Sequence, residues 1–241
     1  MFEHAVILCA GKGERLLGTG GTRTKAMVNV SGRPLVSYSL EQLTARVPEV
    51  GLTVGANAEE LMRYGMANNV RLFINTAGKE NAWWIFNSLF RKINSPVLVM
   101  PCDNITHLDL DLLYNQYLAA GEPPCMLVPV PVNKAIEGDF IHMDDATGLV
   151  TGISRLLFSG IYSSGIQVLN PAMMNAMASG ECDFLALWQK LISVRQLFAS
   201  GNYPYHWFSV NTAAQLQQVE SVIQNHHCLY ENIPGQPATG I

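Results

Sequence analysis

The feature that most constrains this chain is an abrupt change of character near its start. Residues 5–9 are an unbroken apolar run, and the run stops at Ala10-Gly11-Lys12-Gly13-Glu14-Arg15. An apolar run without polar alternation reads as a strand buried on both faces, as in parallel sheets. Two glycines separated by one residue let the backbone turn sharply and come close to a ligand. Amides in such a turn face an anion well, and Lys12 and Arg15 add full positive charges. Lys25 follows ten residues after Arg15 and precedes a second short apolar run, residues 26–30. Gly32-Arg33-Pro34 then opens a helix with Pro34 in its first turn. Neither standard phosphate motif fits. Leu16 stands where the dinucleotide fingerprint needs its third glycine, and Gly13 does not lead into the Gly-Lys-Ser/Thr of a P-loop. From the residues alone, then, the loop is either a cationic phosphate grip or a plain tight turn.

Downstream, strand and helix patterns alternate. A helix over residues 34–46 places Leu35, Val36, Leu40 and Leu43 on one side. A strand over 50–55 leads to a helix holding Leu61 and Met62, with Asn57 as its N-cap, and a further strand covers 70–74. The alternation implies right-handed βαβ units and a mostly parallel sheet. A polar loop, 75–81, precedes an apolar segment, 82–90, that reads as a buried helix. Trp83 and Trp84 cannot share one face of it, since neighbours lie about 100° apart. Either both lie in the core or one reaches the ligand cleft.

Residues 96–101 are wholly apolar and so form a central strand, which ends in Cys102-Asp103-Asn104. A carboxylate just past the carboxyl end of a central parallel strand faces the crevice where open α/β sheets bind ligands. The plainer reading is an aspartate capping the next helix. That helix starts nearer residues 107–111, where Asp109 and Asp111 suit its N-terminus.

The second half reads differently. Pro129 and Pro131 interrupt the strand-like residues 126–132, which suggests an edge or a turn. Residues 140–143 and 149–153 form a hairpin around a longer turn, 144–148. Residues 159–169 are a strand with Gly165 in its middle, where the missing side chain leaves room for backbone to approach a ligand. Helices cover 171–178 and 184–197. A strand end at 206–212 runs into a final helix over 213–224, with Thr212 as its N-cap.

No linker composition interrupts the chain, so we expect one domain over residues 1–230 and a loose Pro/Gly-rich tail, 231–241. The chain divides into two halves, about 1–105 and about 106–225. Of the 241 residues 49% are hydrophobic, ample for one large α/β core. Only 14% are charged, which leaves apolar surface for a partner subunit, so a homo-oligomer is one expectation. The formal net charge of −4, without a basic run, argues against nucleic acid as partner. No apolar stretch approaches the roughly 20 residues needed to span a bilayer. No signal-peptide pattern precedes the first strand. Five cysteines without a C-x-x-C pair read as reduced, buried residues of a cytoplasmic protein.

At three places the chain resembles the nucleotidyltransferase family that makes nucleotide-sugars and related activated headgroups. That family's loop reads L-A-A-G-x-G-x-R-L, then P-K, then G-x-P-L. The counterparts are residues 8–16, Thr24-Lys25 and Gly32-Arg33-Pro34-Leu35, in the same order and spacing. The resemblance implies a glycosyltransferase-A-like α/β fold, a single Rossmann-like three-layer domain with a mostly parallel sheet and a β-rich insertion on the acceptor side. It implies transfer of a nucleoside monophosphate from a nucleoside triphosphate, CTP or UTP favoured, to a small phosphorylated acceptor, with release of pyrophosphate. A sugar 1-phosphate is the first choice of acceptor. The run Asn87-Ser88-Leu89 resembles the phosphocholine cytidylyltransferase branch, which makes phosphocholine the second.

Residue by residue, the resemblance implies that Arg15 and Lys25 act on the phosphates and that Ala10, Gly11, Lys12 and Gly13 hold the triphosphate. Gly78, Glu80 and Asn81 fall where the family contacts the base. Asp103 falls in the family's G-D-N triplet, whose aspartate binds magnesium. Asn211 falls where a second magnesium ligand stands, with helix capping as its plainer role. Glu137, Asp139, Arg155 and Gly165 fall on the acceptor side, where Arg155 is either a phosphate ligand or an ordinary surface charge. Thr24, Cys102, Ser154 and Ser209 depart from the family's usual residues. A non-catalytic nucleotide-binding protein is the rival reading that these departures support.

Overall fold

The computed structural model describes residues 1–18, 24–131, 138–177, 183–201, 204 and 206–225. The chain opens with β1 (His4–Leu8), the one-turn helix α1 (Glu14–Leu17) and a 3-10 turn at Lys25–Met27. A small ribbon, β2 (Asn29–Val30) and β3 (Arg33–Pro34), leads into α2 (Leu35–Thr44). Then come β4 (Glu49–Val54), α3 (Glu59–Ala67), β5 (Leu72–Asn75) and α4 (Trp83–Asn87). The middle of the chain holds β6 (Val97–Pro101), β7 (Asn104–Thr106), α5 (Leu110–Ala119) and β8 (Cys125–Pro131). After it come the hairpin β9 (Phe140–Met143) and β10 (Val150–Ser154), then β11 (Ile161–Leu169) and α6 (Pro171–Met177). The chain finishes with α7 (Phe184–Ser193), β12 (Leu197–Ala199), β13 (Trp207–Ser209) and α8 (Ala213–Asn225).

Among the described residues the main sheet has nine strands, in the order β10-β9-β11-β6-β1-β4-β5, with β8 beside β11 and β12 beside β8. Its first half is parallel. Leu8 lies level with Thr53 of β4 and Pro101 of β6, so these three strands end together. The loops after them therefore share one edge of the sheet. The insertion half is antiparallel, with β11 against β6, β8 and β9, except that β12 runs parallel to β8.

Alternate residues of each strand feed opposite cores, as the pleat requires. Ala5, Ile7, Leu98 and Met100 pack under Leu40 of α2, Leu61 of α3 and Leu113 of α5. Val6, Val97 and Val99 pack under Trp84 of α4, Met174 of α6 and Leu187 of α7. This gives three layers, helix–sheet–helix, as the apolar runs imply. A third cluster seats α8, through Val219, against Val30, Leu35 and Ile105.

Several expectations need correction. Asn57 does not cap α3. It adopts a left-handed backbone (φ 59°), and Ala58 is the capping residue, without a side-chain bond. The segment 82–90 is not one helix, because Ser88 is extended and splits it into α4 and a 3-10 turn over Leu89–Lys92. Helix α7 ends at Ser193 because Arg195 turns left-handed and the amides of Arg195 and Gln196 fold back onto the carbonyls of Ile192 and Leu191. That frees Leu197–Ala199 to pair with β8. Pro129 and Pro131 lie in a continuous strand, beyond the stretch that pairs with β12, so that side of β8 needs no amide donors there. Glu137 and the tail 231–241 lie outside the described residues.

Candidate active site

Three segments meet past the carboxyl ends of β1 and β6. The first turns off β1, where the Cys9 amide donates to Thr53 Oγ1 (3.0 Å) and the Thr24 hydroxyl donates to the Cys9 carbonyl (3.3 Å). These bonds hold Thr24-Lys25 against the strand end. Gly13 has φ +67°, and a Cβ there would sit 2.7 Å from Lys25 Cβ. The second glycine of the loop thus makes room for the lysine stem. Gly11 faces open space.

The second segment is Cys102-Asp103, continuing β6. The third is brought in by β13, which pairs antiparallel with β7 and places Ser209 opposite Asn104. The Val210 amide then donates to the Asp103 carbonyl (2.9 Å). Asn211 arrives beside Asp103 through this ribbon, although the two are far apart in sequence.

Lys25 is 8% exposed and therefore needs partners for its charge. Its ammonium donates to Asp103 Oδ2 at 2.5 Å and to Asn211 Oδ1 at 2.7 Å. Arg15, exposed on α1, donates to the same Asn211 oxygen at 3.3 Å. The Asn211 amide group is turned by Ser209, whose Oγ accepts from Nδ2 at 2.5 Å. Gln215 Oε1 accepts from the Asn211 and Thr212 amides, while Thr212 Oγ1 accepts from the Gln215 amide. This is a capping box that fixes the start of α8. Two cations and one carboxylate thus surround an amide oxygen.

The remaining sequence candidates fall elsewhere or have other partners. Lys12 is 80% exposed and lies 3.8 Å from Glu14. Gly78 (φ +69°), Glu80 and Asn81 are exposed on the loop after β5, at the same sheet edge. The Asn81 side chain accepts from the Phe184 amide (2.9 Å), so it pins the start of α7. Trp84 is fully buried, whereas Trp83 is half-buried with the Lys79 ammonium 5.5 Å from its ring. Gly165 (φ +80°) makes a close approach to Pro101, where a Cβ would sit 2.7 Å from Cγ. Arg155 and Asp139 bond each other at 2.7 Å.

Sequence reasoning missed Thr53, which anchors the loop, and Gly55, where a Cβ would lie 2.6 Å from the Ala10 carbonyl. It also missed Gln215, although Thr212-x-x-Gln215 is a legible capping-box pattern. Cys9 and Cys102 are buried side by side in one core. Burial, and then the neighbouring Cys102, push the Cys9 thiol well above its usual range, so it is no thiolate nucleophile.

The donor set suits a hard divalent ion. Asp103 and Asn211 aim one oxygen each at a common cation, and magnesium is commonly held by one or two protein oxygens plus substrate phosphates. A glycine turn, clustered cations and an oxygen pair at a parallel-sheet edge fit a nucleotidyltransferase. Residues 5–221 match the MobA-like NTP transferase domain, and the chain belongs to that family. It is 26% identical to an N-acetylmuramate alpha-1-phosphate uridylyltransferase from Neisseria meningitidis, over 90% of this chain and 97% of that one. The bifunctional protein GlmU of Methanococcus maripaludis is 36% identical over 64 residues, 27% of this chain and 16% of that protein. In fold the chain is similar to an apo UDP-glucose pyrophosphorylase (TM-score 0.76, 12% identity, 94% of this chain and 100% of that one). It is also similar to an inositol-1-phosphate CTP transferase from T. maritima (TM-score 0.71, 14% identity, 92% of this chain and 96% of that one).

Proposed function

We propose that this chain transfers a nucleoside monophosphate to a sugar 1-phosphate, with UTP or CTP as donor, and releases pyrophosphate. The observation that carries this reading is the joint contact of Lys25 with Asp103 and Asn211, with Arg15 on the same amide oxygen. The near full-length likeness to a sugar-phosphate uridylyltransferase supports the acceptor class.

An acceptor phosphate is already ionised near neutral pH, so its oxygen attacks the α-phosphorus without a general base. The bond to the β-phosphate breaks in line and pyrophosphate leaves. Such transfer depends on positioning and on neutralising charge. Lys25 and Arg15 neutralise charge on the phosphates, and the turn from Ala10 to Gly13 holds the leaving pyrophosphate. Magnesium, held through Asp103 and Asn211, supplies further charge neutralisation at the reacting phosphate when bound. Asp139 and Arg155 face the acceptor as a preformed pair.

No helix among the described residues is long and apolar enough to cross a membrane. The adjacent free thiols of Cys9 and Cys102 support a reducing, cytoplasmic setting. The test is a matrix of four nucleoside triphosphates against sugar 1-phosphates and phosphocholine, read by pyrophosphate release. We expect turnover with UTP or CTP and a sugar 1-phosphate. Turnover with phosphocholine alone moves the acceptor class, and nucleotide binding without any turnover sinks the enzymatic reading.

A further inference from the structure

We propose that Lys25 is a built-in placeholder for the divalent ion. In the nucleotide-free protein its ammonium keeps the place between Asp103 and Asn211, and it gives up that place when metal arrives with nucleotide. The proposal rests on the reading of Asp103 and Asn211 as the metal-holding pair.

The argument starts from shared lone pairs. Lys25 Nζ lies 2.5 Å from Asp103 Oδ2 and 2.7 Å from Asn211 Oδ1. Magnesium takes its oxygens at about 2.1 Å and needs the same two atoms facing inward. An ammonium that bridges the pair therefore competes with the ion for one position. The pairing is not an incidental surface contact, because the Lys25 and Asp103 side chains are only 10% and 20% exposed. A half-buried carboxylate with neither metal nor lysine is an uncompensated charge, which is strongly destabilising. Lys25 removes that cost while the site is empty.

The same geometry explains how the lysine leaves. Its stem is confined near the backbone, where even a Cβ on Gly13 would lie 2.7 Å from Lys25 Cβ and 3.1 Å from Cγ. The far end is free to swing on its methylenes, carrying three donors with it. Bound phosphates would give the displaced ammonium new acceptors, whereas a bare ion gives it none. Metal and nucleotide therefore favour each other's binding, and a bare ion meets a competitor.

The test is nucleotide-free binding of manganese, read by electron paramagnetic resonance, to the wild-type chain and to Lys25→Met. We expect Lys25→Met to bind manganese about tenfold more tightly or better, which is the scale of one lost competing interaction. We also expect manganese to raise the melting temperature of the variant more than that of the wild type. Equal or weaker manganese binding by a folded Lys25→Met overturns the proposal. Asp103→Asn separates the two layers of the argument: if manganese binding is indifferent to Asp103, the metal-pair reading itself fails. Should Lys25→Met fold only when metal is added, the ion is replacing the lysine, as proposed. Should it not fold at all, amine labelling of the wild-type chain decides. Mass spectrometry should find Lys25 more reactive at saturating manganese, and unchanged reactivity overturns the proposal.

Discussion

Lys25 and Arg155 are both cations bonded to an aspartate, and they behave as opposites. The Lys25–Asp103 pair is 10% and 20% exposed, joins two distant segments and is closed by a third through Asn211. Arg155 is 75% exposed and bonds Asp139, itself 20% exposed, beside it at the open end of one hairpin. Beyond Arg155 the loop carries Leu156, Leu157 and Phe158 outward, at 93%, 66% and 70% exposure. Removing one member of a buried pair typically costs about 3–5 kcal/mol, whereas exposed pairs are worth about 0–1 kcal/mol. The first region cannot change without losing the site. The second tolerates change better, because its cation faces solvent.

The largest effect should follow from Asp103→Asn. The substitution keeps the shape of the side chain and the backbone bond to Val210 but removes the only carboxylate among the described residues bonded to Lys25. Pyrophosphate release should fall by at least about 10²–10³-fold, the scale for one electrostatic contact at a reacting phosphate. The circular dichroism spectrum should be retained. A variant that keeps wild-type kcat would show that the buried region is structural and erase the contrast with Arg155.

The two loop glycines offer a sharper division within the buried region. Gly13→Ala forces a Cβ to 2.7 Å from Lys25 Cβ at φ +67°. Strain of about 1–2 kcal/mol and a displaced lysine should lower kcat on the order of tenfold. Gly11→Ala meets no atom within 4 Å, so the folded chain should tolerate it and any cost should appear in the KM for nucleotide. Thermal melting and steady-state kinetics on the pair check this. Equal losses in both would mean that the loop responds to any added bulk.

How much of this was legible in the sequence depended on whether a local signal existed. The parallel half was legible because Val6 and its neighbours Ala5 and Ile7 enter opposite cores, and burial on both faces writes an unbroken apolar run. The end of α7 was not, because its left-handed turn is made by Arg195 rather than glycine. Strand β12 is three residues long and too short to show a period. Gly165 signalled a close approach, but only the tertiary structure names Pro101 as what approaches. Lys25, Asp103 and Asn211 were each singled out by motif, while their convergence depends on the pairing of β7 with β13, which no local pattern encodes.

The smallest effect should come from Arg155→Ala, and it bears directly on the acceptor side. The Arg155 guanidinium is 75% exposed although Asp139 is only 20% exposed, so loss of the arginine should change stability by about 1 kcal/mol. Arg155 follows β10, which lies three strands from β6 in the sheet order, so kcat should hold. If the guanidinium leaves Asp139 to meet the acceptor phosphate, KM for the acceptor should rise a few-fold while KM for the nucleotide stays put. Conservative replacement by lysine should recover part of that loss, since charge is kept and the planar fork is not. Asp139→Asn then gives the reverse sign: it takes the charge from the Arg155–Asp139 bond, and KM for the acceptor should fall. An unchanged acceptor KM in both variants would assign the pair to the surface alone and move acceptor recognition to other residues of the insertion.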